Sequence, residues 1–293
     1  MSKFKLALKR ITATPERLQP TQSDGGLDKD VQSTGNEPAA TAPEHQYNRS
    51  IAVDHEVLAA KGVSITSDSE QQLRDELRQI KWPVLANAFG EQSKRIPRGN
   101  VVMVTSATSG EGKTFTSINL AMSIAAEKDV DVLLIDADIA KAHASELLGL
   151  TGTAGVIEYL SGEVTDIADV IVGCDVPGLS LLPAGRADEH ASELIASKRM
   201  SDFVTELSER YPKTVLLFDT SPILQTNESQ VLSHLVGQVL LVVAANKTPR
   251  SAVTDAVSLF GPDAVINIIF NGVTWLIKQK DRYGSYYGYQ IKR

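Results

Sequence analysis

Residues 101–121, VVMVTSATSGEGKTFTSINLA, decide the fold of this 293-residue chain. They begin with a short apolar run, pass through a loop with two glycines and continue with the spacing of a helix. Gly110 and Gly112 let backbone N–H groups turn inward around an anion, and the N-terminus of the helix adds positive potential. Strand, glycine loop and helix in this order predict a phosphate-binding loop (P-loop).

Within the loop, Lys113 is expected to reach the β- and γ-phosphates of a nucleoside triphosphate, and the Thr114 hydroxyl to bind Mg²⁺. Ala107 stands where the P-loop pattern has its first glycine. The predicted nucleotide contacts from this segment are Thr108, Ser109, Gly110, Glu111, Gly112, Lys113, Thr114 and Phe115.

Outward from the loop, short apolar runs alternate with amphipathic segments. The predicted strands are 101–105, 132–135, 179–182, 214–218, 239–244 and 264–270, and the main helices between them are 115–127, 193–211, 228–235 and 251–260. Strands that are apolar on both faces and separated by helices predict an α/β fold, a mostly parallel sheet with helices on both faces. Ligands of such sheets bind at the carboxyl ends of the strands.

Acidic residues follow two of these strands. Asp136 and Asp138 are two positions apart, so their side chains point the same way if the strand geometry persists. Asp219 ends the apolar run 214–218 in the Walker B pattern. We expect Asp138 and Asp219 to arrange Mg²⁺ with Thr114, and Asp136 to accept a proton from an attacking hydroxyl. The alternative is that these acids only terminate buried strands.

The chain ends in a tyrosine cluster, YGSYYGYQIKR. Glycines between the tyrosines prevent a single buried stripe, so a mobile tail with several exposed hydroxyls is expected. A triphosphate site upstream of such a tail predicts a kinase that phosphorylates it. The candidate phosphoacceptors are Tyr283, Tyr286, Tyr287 and Tyr289.

Charge is distributed unevenly along the chain. Residues 277–293 contain five cationic side chains and one acid, so their formal charge is +4. The whole chain has a net charge of −7, so residues 1–276 carry −11. The acidic total argues against general nucleic-acid binding. A cationic tail and an acidic body instead predict self-association, with the tail on a second copy and transfer between subunits.

The N-terminal region predicts less structure. Residues 13–50 contain few large apolar side chains among many Pro, Ser, Thr, Gln and Gly, as in a flexible linker. Phe4, Leu8 and Ile11 would share one face of a short basic helix. The alternative is a frayed terminus. We therefore divide the chain into a mostly disordered region (1–66), a P-loop domain with an N-terminal helical segment (67–276) and the tail (277–293). Ser67 and Glu70 form a capping box for that segment.

Several classes are excluded by composition. No stretch approaches the roughly 18–20 apolar residues of a membrane span, and the basic N-terminus lacks the apolar region of a signal peptide. A single cysteine, Cys174, excludes an internal disulfide framework and fits a reducing compartment. A cytoplasmic protein is expected.

A P-loop, an Asp-x-Asp pair and a Walker B acid in this order resemble the deviant-Walker P-loop ATPases, and within them the bacterial tyrosine kinases, which also end in a tyrosine cluster. The resemblance covers about residues 70–293. Segments 80–89, 181–186 and 193–197 (IKWPVLANAF, LLPAGR and ELIAS) are similar to the exosortase-associated tyrosine autokinases.

This resemblance implies ATP and Mg²⁺ as cofactors, autophosphorylation and a role in exopolysaccharide synthesis and export. It implies that Asn271 contacts adenine, although an Asn-Gly turn is the simpler interpretation. It also implies a separate membrane activator of the polysaccharide chain-length or co-polymerase type, which would recruit the kinase to the inner face of the membrane.

The chain departs from the family pattern at three places. Lys141 stands where many members have arginine, and Ser109 where many have proline. The Glu-x-x-Arg-x-x-Arg pattern of the family's oligomerisation helix is replaced by Glu70, Arg74 and Arg78 at four-residue spacing. These departures leave the family's ring-shaped assembly untested for this chain.

Three other functions compete with a kinase. A partition or cell-division-placement ATPase has a signature lysine where this chain has Thr108. A GTPase binds guanine with an Asn-Lys-x-Asp motif, and this chain has Asn246-Lys-Thr-Pro249, with proline at the position of the acid. A nucleotide-gated adaptor would use its tail only as a sticky peptide and would tolerate Tyr→Phe.

Overall fold

The predicted fold class is confirmed by a computed structural model, which describes residues 4–7, 48–63, 71–91, 96–261 and 263–273. Within these ranges nine strands form one sheet. The strands are β1 (Phe4–Ala7), β2 (Ser50–Ile51), β3 (Val101–Ser106), β4 (Asp131–Asp136), β5 (Val172–Cys174), β6 (Leu179–Leu182), β7 (Thr214–Asp219), β8 (Gln238–Ala244) and β9 (Val265–Asn271). The helices are α1 (His55–Ala60), α2 (Gln71–Phe89), α3 (Lys113–Ala125), α4 (His143–Leu147), α5 (Val156–Ser161), α6 (Ala191–Ile195), α7 (Lys198–Arg210), α8 (Asn227–Ser233) and α9 (Arg250–Ser258), with a 3-10 turn at Ile167–Val170.

The strand order is β1-β9-β8-β3-β7-β4-β6-β5-β2. The central run from β9 to β6 is parallel, whereas β1 and β5 pair antiparallel with β9 and β6. The carboxyl ends of β3, β7 and β4 therefore lie side by side. Asp219 pairs in register with Val104 of β3 and with Asp136 of β4. The topology thus brings the P-loop and the predicted acids to one edge of the sheet.

Both faces of the sheet are covered, which is why its central strands are continuous apolar runs. Alternate residues of β3 point in opposite directions: Val102 and Val104 pack beneath α2 and α3, and Val101 and Met103 pack on the side of α5, α7 and α8. All six residues of β3 and of β7 are buried. This packing fixes the strand ends that carry the site.

Two predicted helix boundaries were wrong. The predicted helix 193–211 is two helices, because Ser197 adopts an extended backbone and its hydroxyl accepts a hydrogen bond from Arg199 N (3.2 Å), capping α7. Pro83, whose missing N–H predicts the end of one helix or the start of the next, lies instead inside α2. Burial of Ile80 and Val84 on either side of Pro83 holds that helix together despite the missing donor.

The N-terminal expectations also need correction. Residues 48–63 form β2 and α1, and they bury Val53, Leu58 and Val63 in the core, so ordered structure begins before Ser67. Phe4–Ala7 is a strand, not the start of a helix, because it pairs with the edge strand β9. The capping box at Ser67 lies outside the described residues. None of the helices in the described ranges is both long and apolar enough to cross a membrane.

Candidate nucleotide-binding site

The P-loop connects the end of β3 to Lys113, the first residue of α3. Gly110 and Gly112 have φ values of +82° and +94°, in the left-handed region that favours glycine. A Cβ at Gly112 would also lie 2.0 Å from Asn271 Nδ2. Only glycine therefore satisfies both the backbone and the space at position 112.

Glu111 holds the loop in this shape. Its side chain is buried, and Oε2 accepts a hydrogen bond from Thr108 N (2.7 Å) across the loop. Oε1 accepts one from the Thr248 hydroxyl, in the turn after β8. The Glu111 carbonyl accepts a third from Asn271 Nδ2 (2.9 Å) at the end of β9. These contacts tie the loop to the ends of the two neighbouring strands β8 and β9.

These contacts give new roles to residues singled out in the sequence. Asn271 supports the P-loop directly, and its contact with adenine stays a prediction. Thr248 belongs to the segment Asn246-Lys-Thr-Pro249, which was compared above with the guanine-binding motif of GTPases. In the structure its hydroxyl instead links Glu111 to the backbone N–H of Ala244 (3.1 Å). Phe115 is half-buried and packs against the core under α3, and its contact with nucleotide also stays a prediction.

Removing the Thr248 hydroxyl should loosen this arrangement. Thr248→Val takes a donor from a buried carboxylate, and hydrogen bonds to charged groups contribute about 1.5–3 kcal/mol. We expect the Kd for an ATP analogue, measured by calorimetry, to rise about tenfold. Thr248→Ser, which restores the hydroxyl, should bind like the parent, and Thr254→Val on the exposed side of α9 is the matched control. Equal affinity in Thr248→Val and the parent would remove Thr248 from the site.

The Walker B acid lies directly under the P-loop. Asp219 is fully buried; its Oδ1 accepts a hydrogen bond from the Ser117 hydroxyl (2.9 Å), and its Oδ2 has no hydrogen-bond partner among the described residues. Burial, followed by the negative charge of Asp136, raises the pKa of Asp219 to about 7. Hydrogen bonds from Thr114 and Ser117 and the charge of Lys113 oppose that rise. Asp219 is therefore mostly protonated below about pH 7, and its Oδ2 is a buried oxygen without a hydrogen-bond partner in the described part of the chain.

This pKa predicts an inverted pH dependence for the unliganded protein. Folded Asp219 keeps its proton up to about pH 7, whereas the unfolded chain releases it near pH 4, so stability is lost as pH rises between these values. Asp219→Asn should remove this loss and raise the free energy of unfolding at pH 8 by roughly 4 kcal/mol. Thermal melts at pH 5 and pH 8 without nucleotide or metal, beside the exposed control Asp255→Asn, measure it. A variant less stable than the parent at pH 8 would refute the assignment.

Asp136 is the last residue of β4 and Asp138 lies two positions beyond it; each is 2% exposed. Asp136 Oδ2 accepts hydrogen bonds from the backbone N–H and the hydroxyl of Ser145 (both 2.7 Å), and Oδ1 accepts a longer one from Asp138 N (3.3 Å). Burial, and less strongly the charge of Asp138, raises the pKa of Asp136 to about 6, against the hydrogen bonds from Ser145. Asp138 Oδ1 accepts a hydrogen bond from the Ser221 hydroxyl (2.6 Å).

The residues present fit a magnesium ion. Thr114, Asp138 and Asp219 offer only oxygen atoms, and Asp219 Oδ2 is buried without a protein partner. Within the described ranges no group of three or more His, Cys, Asp or Glu side chains forms a complete metal site. Mg²⁺ is usually bound by one or two carboxylates together with nucleotide phosphates and water.

A second lysine, Lys141, contacts the P-loop from the segment that follows Asp138. Lys141 Nζ lies 3.0 Å from Ser109 Oγ. Both positions depart from the pattern described above, and here the two side chains contact each other. Lys141 thus joins the segment after Asp138 to the rim of the loop, where Ser109 and Gly110 are exposed.

Sequence reasoning missed four hydroxyl groups of the site: Ser117, Ser145, Ser221 and Thr248. Their partners lie up to 137 positions away in the chain, so no local motif marks them. The four predicted phosphoacceptors, Tyr283, Tyr286, Tyr287 and Tyr289, lie outside the described residues.

Fold and site together define a P-loop nucleotide-binding protein. The family model of the CobQ/CobB/MinD/ParA nucleotide binding domain matches residues 102–254. The tyrosine-protein kinase YwqD of Bacillus subtilis is 30% identical over 189 residues, which cover 64% of this chain and 77% of YwqD. The tyrosine-protein kinase wzc of Salmonella typhi is 31% identical over 196 residues, 66% of this chain.

Solved structures agree with these relatives. The kinase domain of VpsO matches with a TM-score of 0.57 and 30% identity, over 71% of this chain and 100% of that domain. The kinase domain of the Escherichia coli tyrosine kinase ETK shares the fold, with a TM-score of 0.60 over 82% of this chain and 99% of its own length at 23% identity. This chain belongs to the CobQ/CobB/MinD/ParA nucleotide-binding domain family and, within it, to the bacterial tyrosine kinases. It spans 27% of the length of the Salmonella kinase.

Proposed function

We propose that this chain is an ATP-dependent protein-tyrosine autokinase that phosphorylates its own C-terminal tyrosine cluster. The observation that carries the proposal is the meeting of a preformed P-loop with Asp138 and Asp219 at one edge of the sheet, in a chain that ends in a tyrosine cluster. β9, the last described strand, runs parallel to β8 and ends at that same edge. The described part of the chain therefore ends on the side of the predicted nucleotide site.

In this mechanism the P-loop amides and Lys113 hold the triphosphate, and Lys113 stabilises the charge on the transferring phosphoryl group. Thr114, Asp138 and Asp219 would hold Mg²⁺, which neutralises phosphate charge when it is bound. The 7% exposure of Lys113 keeps its ammonium group in a site largely free of water, where electrostatic interactions are stronger.

The phosphoryl transfer balances as follows. A tyrosine oxygen bonds to the γ-phosphorus, the bond from that phosphorus to the β–γ bridging oxygen breaks, and ADP leaves. The tyrosine proton passes to Asp136, because a neutral phenol with a pKa of about 10 is a poor nucleophile. Asp136 Oδ1 is the accepting atom in this proposal, since Oδ2 is already occupied by both donors of Ser145.

Transfer between subunits follows from the charges. The tail carries +4 and the remainder of the chain −11, so the tail is attracted to a second copy. We further propose that the kinase is cytoplasmic, that a membrane protein of the polysaccharide co-polymerase type recruits and activates it, and that it regulates exopolysaccharide synthesis and export. This last part rests on the family resemblance.

An ATPase without kinase activity is the second candidate, because the matching family model also covers MinD and ParA proteins. Thr108 at the position of their signature lysine argues against it. Mass spectrometry of the purified protein after incubation with ATP and Mg²⁺ separates the two. The kinase yields phosphotyrosine in residues 283–289, whereas ATP hydrolysis without phosphotyrosine would favour the ATPase.

A further inference from the structure

A cavity of about 270 Å³ opens beside the acidic end of the site. Its walls come from the segment after β4, the segment around α6 and the turn after β7. Four of its lining residues are alanines, so the space is created by small side chains; we call it the alanine cavity (Ala137, Ala140, Ala187 and Ala191). Sites for drug-sized ligands measure about 300–1,000 Å³, so this cavity suits a single side chain better than a second nucleotide.

The alanine cavity adjoins the reacting groups. Ala137 lies between Asp136 and Asp138, and its N–H donates to the Asp219 carbonyl (2.8 Å). Ser221, which also lines the cavity, donates its hydroxyl to Asp138 Oδ1 (2.6 Å). A side chain in the cavity therefore lies close to Asp138, one of the carboxylates assigned to magnesium.

The mouth of the cavity is acidic. Asp188 and Glu228 line it, and Glu189 and Glu193 are exposed on the same segment as Asp188. The nearby cation Arg186 does not neutralise them, because its guanidinium is paired with Glu158 and Glu163. His190 is the other cationic candidate on the segment, and it lies between Glu189 and Glu193.

The tail has the complementary chemistry. Lys278, Lys280 and Arg282 directly precede Tyr283, with Asp281 as the one acid among them. Twenty residues follow Val273, the last described residue, and an extended chain spans about 3.3 Å per residue. An aromatic ring that enters the cavity would leave its basic neighbours at the acidic mouth.

We propose that the alanine cavity is the acceptor pocket of the kinase and that it selects tyrosines preceded by basic residues. The occupant is a tyrosine of residues 283–289. The apolar walls receive its ring, and the mouth acids, Asp188 and Glu228, bind the basic residues before it. The inference rests on the proposed kinase function and adds its substrate class: other protein substrates would carry Lys or Arg on the N-terminal side of the tyrosine.

The test uses the full-length chain with its four tail tyrosines changed to phenylalanine, and a synthetic peptide of residues 277–293 with Tyr283 as its one tyrosine. Asp188→Lys with Glu228→Lys should raise the peptide KM about tenfold, equivalent to about 1.4 kcal/mol, and leave kcat within about twofold. Asp255→Lys, the same change on exposed α9, should leave KM unaltered. A peptide with Glu at 278, 280 and 282 should recover its KM on the charge-reversed enzyme.

A steric variant tests the cavity itself. Ala187→Phe fills the space from an exposed loop position and should lower peptide kcat/KM at least about fiftyfold, while ATP hydrolysis without peptide stays unchanged. Ala126→Phe, an exposed alanine at the far end of α3, is its control.

A comparison on the parent enzyme does not depend on the folding of any variant: the acidic peptide should have a KM at least tenfold above that of the basic peptide. Equal KM values for the two peptides on the parent enzyme would overturn the proposed specificity. Normal peptide turnover by Ala187→Phe would overturn the assignment of the cavity. The kinase function would be overturned along with the pocket if the four-phenylalanine enzyme hydrolysed ATP but phosphorylated neither peptide, and the unaltered chain formed no phosphotyrosine in its own tail.

Discussion

Lys113→Met is expected to abolish phosphotyrosine formation, with kcat lowered by about three orders of magnitude, because it removes a buried cation from the transferring phosphoryl group. The sequence alone places Lys113 on a solvent-facing loop, but the structure buries it at 7% exposure. Methionine has a similar unbranched shape and fits that space without a charge, so the fold should remain intact. Quantitative mass spectrometry of phosphotyrosine, with circular dichroism as the folding check, measures the result.

Lys113→Arg is the matched control, since it keeps the charge but changes the geometry. It should retain nucleotide binding and lose only part of the transfer rate. Wild-type phosphotyrosine in the methionine variant would show that Lys113 takes no part in catalysis. A variant that no longer melts cooperatively would show instead that the buried lysine supports the fold.

Replacing Tyr283, Tyr286, Tyr287 and Tyr289 together with phenylalanine should eliminate most autophosphorylation, because the acceptor hydroxyls are gone while the aromatic rings remain. ATP binding and slow ATP hydrolysis should continue at the parent rate. Incorporation of labelled γ-phosphate from ATP, normalised to protein, measures the loss. A fully retained signal would place the acceptors elsewhere, with Tyr47 as the first candidate.

The same variant separates a kinase from an adaptor with a sticky tail. Binding through aromatic rings alone survives the loss of the hydroxyl groups, so an adaptor keeps its function in the four-phenylalanine protein. Restoring single tyrosines in that background then ranks the four acceptors. Tyr283 should be the most efficient, because it directly follows the basic residues expected to bind at the acidic mouth.

The central strands could be predicted to within a residue or two because they are buried on both faces and therefore stand out as uninterrupted apolar runs. β6 was predicted with its observed ends, β7 extends only to include the acid that follows, and β4 is longer than predicted by one residue at each end. The outer strands of the sheet, β1 at one edge and β5 and β2 at the other side, have two to four residues and depend on pairing with distant strands, so they leave no local pattern. The break between α6 and α7 depends on a single capping serine.

The site residues likewise fall into two groups, those that a local motif predicts and those that it does not. Lys113, Thr114 and the three acids follow from motifs that are contiguous in the chain. The contacts that support the P-loop do not follow from any local motif, because Glu111 is 137 positions from Thr248 and 160 positions from Asn271 in the sequence. Asp136 was predicted to accept a proton, and the hydrogen bonds that Ser145 donates to one of its oxygens were not foreseen. Motifs thus predict the groups that would meet the nucleotide, and the three-dimensional structure shows the groups that hold them in place.

One measurement tests the central claim most directly: transfer of phosphate to the tail of a second copy. ¹⁵N-labelled Lys113→Met protein, with an intact tail but no activity of its own, is mixed with unlabelled protein that is active but carries phenylalanine at all four tail positions. After incubation with ATP and Mg²⁺, tail peptides are analysed by mass spectrometry. The account predicts phosphotyrosine in labelled peptides covering residues 283–289, formed at a rate that rises with total protein concentration and falls with added salt. Labelled tails without phosphate, in a mixture that binds ATP normally, would contradict it.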